Sequence, residues 1–127
     1  DVVRGQYSAL ERERRIRQTA EADGASVRVV IEQEPGSGGK ESAESTIRNL
    51  AGYRVSADRV TGDKVTRAQP YAAQIEGGNV YLLRADWNRA FIDEHETFPS
   101  GRYKDQVDAA AGAFASLSAT KRKPMMG

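Results

Sequence analysis

Apolar residues recur along this chain with two different periods. Between Val27 and Glu34 the β-branched residues at positions 27, 29, 30 and 31 follow one another too continuously for a half-exposed hairpin strand. That run predicts a strand buried centrally in a parallel sheet. On either side the spacing is helical. Ser8 with Glu11 has capping-box spacing, and Leu10, Ile16 and Ala20 lead toward Gly24, which predicts a helix with a charged outer face. After a Pro35–Gly39 turn, Ala43, Ile47, Leu50 and Ala51 fall at i, i+4, i+7 and i+8, with Gly52 as the stop. Tyr53–Val60 predicts a second strand, and Thr61-Gly62-Asp63 a turn into a third helix with Ala68, Ala72 and Ile75 on one side. Gly77-Gly78 ends that helix, Val80–Leu83 predicts a short buried strand, and Trp87–Glu96 a short helix led by Trp87 and Phe91 as core anchors. A last helix from about Lys104 turns Val107, Ala111 and Phe114 inward. Asp1–Arg4 reads as the end of a strand entered partway. Strands alternating with helices predict an α/β domain over residues 1–120, followed by a basic, disordered tail at 121–127.

Composition narrows the class but not the function. The chain has 127 residues, 39% hydrophobic and 29% charged, which suits one ordinary globular domain. No cysteine is present, so disulfides and thiolate metal sites are excluded. No apolar run approaches the roughly 20 residues that span a bilayer, and a cytoplasmic setting is the default expectation. Net charge is +1, so bulk electrostatics give no argument for nucleic acid, although Arg12, Arg14, Arg15 and Arg17 cluster.

The candidate chemistry sits at two places. Glu32 and Glu34 alternate onto one face at the carboxyl end of the first predicted strand, where open α/β sheets form their ligand crevice. Paired carboxylates there are the oxygen donors that hard divalent cations take. The same pair also fits a solvated turn with Glu32 ion-paired to an arginine, and pattern alone does not choose. The glycine-rich turn ending at Lys40 is not a phosphate loop, because Glu34 stands where glycine is needed and Glu41 where Ser or Thr is needed. Gly36, Gly38 and Gly39 can still serve close packing or approach to a nucleic-acid phosphate. Asp105 and Asp108, three apart, share a face at the start of the last helix, where they also complement the helix dipole. Lys64 and Arg67 follow the Thr61-Gly62-Asp63 turn and could contact a phosphate backbone or simply be solvated. His95, between Glu94 and Glu96, reads as a surface residue, which excludes a histidine-based zinc site.

Three runs, IEQEPGSGGK, RVTGDKVTRAQPYAAQIEGGNVYLL and WNRAFIDEHETFPSGRYKDQVDAAAGAF, taken in that order and spacing, resemble the C-terminal nuclease domain of phage large terminase subunits. The resemblance covers nearly the whole chain. It implies a ribonuclease-H-like fold, a mixed sheet flanked by helices, and metal-dependent endonuclease activity that cuts concatemeric DNA during packaging. The implied partners are double-stranded DNA, a preceding ATPase domain, the portal protein and the small terminase subunit, with the host bacterial cytoplasm as setting and no membrane. The family's acid at the end of a central strand corresponds to Glu32, with Glu34 beside it. Its acid at the start of the last helix corresponds to Asp105, with Asp108 one turn along. These would hold two Mg²⁺ or Mn²⁺ ions; Lys40, Lys64 and Arg67, read from the residues and not from the resemblance, are the candidate contacts to a DNA backbone. Tyr103 and Lys104 replace the His-Asp that usually opens that motif. Asp1 does not correspond to the family's first-strand aspartate, so the resemblance implies a domain lacking its first strand or strands. A non-catalytic DNA-binding or portal-docking module on the same fold is the competing expectation.

Overall fold

The computed structural model describes residues 1–59 and 63–121, with backbone only at 120 and 121. The chain divides into two compact units, residues 3–61 and residues 62–127 together with Asp1 and Val2.

In the first unit, α1 (Ala9–Asp23) begins where Ser8 Oγ accepts the Glu11 backbone N–H at 3.2 Å and ends at Gly24, whose φ of 90° suits only glycine without strain. β1 (Val29–Gln33) and β2 (Val55–Arg59) form a parallel pair in the register Val29↔Val55 through Gln33↔Arg59. The crossover between them is α2 (Ser37–Asn49), which packs on both strands and on α1. This is the βαβ unit that the alternating pattern predicts. Leu50, closing α2, is 1% exposed, a burial contributing about 1.5–3 kcal/mol. Two expectations change here. Leu10 is exposed, and β1 is half-covered instead of buried on both faces, because it has β2 as a neighbour and helices on one side, leaving Val30 and Glu32 outward. Helix α2 also starts earlier than expected: Gly36 alone, at φ 94°, makes the turn, so Gly38 and Gly39 lie in the first helical turn.

In the second unit, α3 (Lys64–Glu76), α4 (Asn88–Thr97) and α5 (Asp105–Lys121) pack together, α5 against both others. The core is Ala68, Tyr71 and Ala111, flanked by Val80, Phe98, Ala110 and Phe114. Val107 and Ala111 point inward as their spacing predicts, with Phe114 partly buried. On α3 the buried face is Ala68 and Tyr71, while Ala72 and Ile75 are exposed, about one position round the helix from the expected stripe. Trp87, Phe91 and His95 line one face of α4, with ring centroids 5.4 Å and 4.3 Å apart in succession. Val80–Leu83 and Asp1–Arg4 do not form strands: neither has a ladder partner among the described residues, and Tyr81 and Leu83 are each 86% exposed. A strand without a neighbour has no hydrogen-bond ladder to define it. Beyond Lys121 the basic tail lies outside the described residues, as does most of the Thr61-Gly62-Asp63 turn.

Candidate functional site

At the carboxyl end of β1, Glu32 and Glu34 line a cleft of about 260 Å³ with Arg12, Glu13 and Ile16 of α1 and Ser42, Ala43 and Thr46 of α2. Both candidate glutamates are exposed. Their position is set by a close approach between strand end and helix start: a Cβ on Gly39 would overlap the Glu34 carbonyl. Glycine at 39 therefore lets the first turn of α2 sit directly on the end of β1. Lys40 follows on that turn, exposed and without an ion pair among the described residues, beside a helix N-terminus that has no side-chain cap.

Two further acids stand near Glu32 that the sequence pattern does not single out. Asp58 is its register partner on β2, and neighbouring residues of a parallel pair project from the same face. Both are exposed. Glu13 reaches from α1 to α2, where its Oε1 accepts Thr46 Oγ1–H at 2.7 Å and Asn49 Nδ2–H at 3.2 Å. Its Oε2 is buried without a hydrogen bond, 3.8 Å from Arg12 Nε. The pairing register was the signal for Asp58, since a parallel βαβ unit fixes which residues lie side by side. Glu13 stood within an acidic and basic run on a solvated helix face, and nothing in its spacing distinguishes it from Glu11.

In the second unit the first turn of α5 carries Asp105 and Asp108. Asp105 is exposed, and its side chain makes no hydrogen bond or ion pair among the described residues. Asp108 is different: its Oδ2 lies 2.6 Å from Lys64 Nζ on α3, and its side chain is 11% exposed. An ammonium so close holds the Asp108 carboxylate in one orientation, and a short charge-assisted hydrogen bond of this kind is stronger than a neutral one. Arg67 lies one turn beyond Lys64 and is half-buried. The sequence therefore identifies both members of the Lys64–Asp108 pair but not that they meet.

Glu94 and His95 depart furthest from expectation. Glu94, beside the histidine expected at the surface, is 6% exposed, and its Oε2 accepts the Val107 backbone N–H at 2.7 Å while Oε1 accepts Gln106 Nε2–H at 3.1 Å. His95 is half-buried, its ring nitrogens 2.8 Å from Tyr71 Oη and 2.7 Å from the Phe91 carbonyl oxygen. The signal was available in the i, i+4, i+8 spacing of Trp87, Phe91 and His95, which places the histidine on the aromatic face.

The donors on these two elements are carboxylate oxygens, which match the preference of Mg²⁺ and Mn²⁺. Within either unit, no three of the described His, Asp and Glu side chains gather into a metal-holding group. Among the described residues no helix is long and apolar enough to cross a membrane.

No curated protein and no solved structure matches the chain. The family model described as the terminase RNaseH-like domain matches residues 3–117. That span takes in α1, the parallel βαβ unit, α3, α4, most of α5 and every candidate acid, so the chain belongs to the terminase RNaseH-like domain family.

Proposed function

We propose that this domain is a metal-dependent endonuclease of a phage DNA-packaging motor, hydrolysing phosphodiester bonds of double-stranded DNA to cut concatemers during genome packaging. It would work in the host bacterial cytoplasm alongside an ATPase domain, the portal protein and the small terminase subunit. The observation that carries this reading is the family match over residues 3–117, a span that includes the exposed Glu32 and Glu34 at the end of β1 and the exposed Asp105 on the first turn of α5. Glu32 and Asp105 are the proposed direct ligands of Mg²⁺ or Mn²⁺, and Glu34 an additional one. Asp108, whose Oδ2 is held by Lys64, is the secondary ligand or the group that orients the turn. Two such ions, when bound, supply an activated water and stabilise the leaving oxygen. Lys40, Lys64 and Arg67 are the proposed contacts to the DNA backbone.

One observation favours a second reading, a non-catalytic DNA-binding or portal-docking module: neither unit by itself gathers three metal-holding groups among its described residues. Mn²⁺-dependent nicking of supercoiled plasmid separates the two. Wild type is expected to nick, and Glu32→Gln, which keeps the side-chain shape but loses a charged oxygen, is expected to abolish nicking while remaining folded. A Glu32→Gln variant with wild-type nicking rejects the nuclease role assigned to Glu32, and a well-folded full-length protein that never nicks favours the docking module.

A further inference from the structure

The first turn of any α-helix leaves backbone N–H groups without partners inside the helix. In α5 the residue before the helix is Lys104, whose side chain has only donors and cannot cap them. The acceptor comes instead from another helix. Glu94 of α4, 6% exposed, takes the Val107 N–H at 2.7 Å with one oxygen and the Gln106 side-chain amide at 3.1 Å with the other. Burying a carboxylate is costly unless it is hydrogen-bonded, and these two bonds together with the positive end of the α5 dipole offset that cost. A Ser or Asp at 104 would cap the helix without burying charge. What the local cap would not do is tie α5 to α4 at this turn.

The two residues Glu94 grips, Gln106 and Val107, lie between Asp105 and Asp108. Lys64 of α3 holds Asp108 from another side at 2.6 Å. The turn is thus fixed by α3 and α4 together, and Asp105 is the carboxylate it leaves open. We infer that Glu94 is a positioning residue for the acidic turn of α5, setting the rotation of the helix start and hence the direction in which Asp105 presents its oxygens to a divalent cation. This rests on the reading of Asp105 as a metal ligand.

Gln106 Oε1 is buried without a partner, since the carboxylate of Glu94 requires the amide nitrogen to face it. That orphan acceptor supplies a sharp variant. In Glu94→Gln the new side chain can accept the Val107 N–H through its oxygen and, with the Gln106 amide turned over, donate its NH₂ to Gln106 Oε1, keeping the grip without the charge. Glu94→Ala removes the grip.

The test is Mn²⁺ binding to the whole chain, followed by the electron paramagnetic resonance of free Mn²⁺, with far-ultraviolet circular dichroism to establish that each variant is folded. Glu94→Ala is expected to weaken Mn²⁺ binding about 10- to 100-fold, the usual effect of losing a group that orients a ligand. Glu94→Gln is expected to stay near wild type. If Glu94→Ala fails to fold, Glu94→Asp, one methylene shorter, is expected to weaken binding in the same direction. A folded Ala or Asp variant with wild-type Mn²⁺ affinity, lowered only in melting temperature, overturns the positioning role. Asp105→Asn serves as the separate control: if it leaves Mn²⁺ binding unchanged, the ligand reading itself falls and takes the positioning role with it, whereas a loss in Asp105→Asn without one in Glu94→Ala rejects Glu94 alone.

Discussion

At the scale of single residues, the contact most open to a pH experiment is the one between Tyr71 and His95. The Phe91 carbonyl can only accept, so the His95 nitrogen 2.7 Å from it carries the proton, and in the neutral ring the other nitrogen accepts from the Tyr71 hydroxyl at 2.8 Å. Tyr71 is 7% exposed, and burial pushes its phenol above the ordinary value of 10.0. A raised folded-state value means that the folded state holds the proton more tightly than the unfolded chain does. The resulting stability is therefore complete below pH 10 and is lost as pH climbs through the folded-state value. Thermal melts from pH 8 upward should show wild type losing stability above about pH 10, and Tyr71→Phe should lose less over the same interval. At neutral pH the same variant should be less stable by about 1–3 kcal/mol, because the His95 nitrogen is left without its donor. Equal alkaline slopes in the two proteins would remove Tyr71 as the cause. This contact was not legible in advance. The stripe Ala68, Ala72 and Ile75 satisfies helical spacing as well as Ala68 and Tyr71 do, and which one is buried depends on where α5 packs.

At the scale of elements, the βαβ unit followed directly from the sequence, because the β-branched run Val29–Ile31 and the strand opened by Val55 bracket a helical stripe ending in the fully buried Leu50. Its details did not. The run from Pro35 to Gly39 has the composition of a loop, yet Gly36 at φ 94° completes the turn alone, and Gly38 and Gly39 continue as helix. Composition identifies residues that permit unusual backbone, but it does not say which one of three neighbouring glycines uses the freedom. Gly39 is needed for a different reason, the approach of α2 to Glu34. Gly39→Ala should force the strand end and helix start apart and destabilise the protein by about 1–3 kcal/mol, the cost of overpacking, although alanine is the better helix former in isolation. Gly38→Ala, where a Cβ meets nothing within 4 Å, is the matched comparison and should be neutral or mildly stabilising. Chemical denaturation of both variants decides it: equal behaviour would mean that the strand end yields freely. The strands expected at Asp1–Arg4 and Val80–Leu83 show the opposite limit, since apolar alternation marks a segment fit for a ladder, while the ladder itself depends on a neighbour located elsewhere in the chain.

At the scale of the whole chain, 19 basic residues are nearly balanced by 18 acidic ones, so any hold on DNA must come from local placement of cations and not from overall charge. The sequence singles out Lys40 and Lys64 equally, and the structure separates them. Lys40 is exposed and unpaired among the described residues, next to the uncapped start of α2, whereas the Lys64 ammonium is engaged with Asp108 at 2.6 Å. A cation that neutralises a phosphate releases a counterion, and each such contact contributes about −0.9 to the slope of log affinity against log salt. A cation already engaged with a carboxylate must first give up that pairing, so its net release is smaller. Binding of double-stranded DNA, titrated over a series of salt concentrations by fluorescence anisotropy, should therefore lose close to a full contact from its slope in Lys40→Ala and distinctly less in Lys64→Ala. Neither variant should alter preference among DNA sequences, because backbone contacts position without reading bases. Should Lys64→Ala remove the larger share, the Lys64–Asp108 pair must open on DNA, which would release Asp108 for a metal at the moment substrate arrives and would make Lys64 the link between DNA binding and the acidic turn of α5.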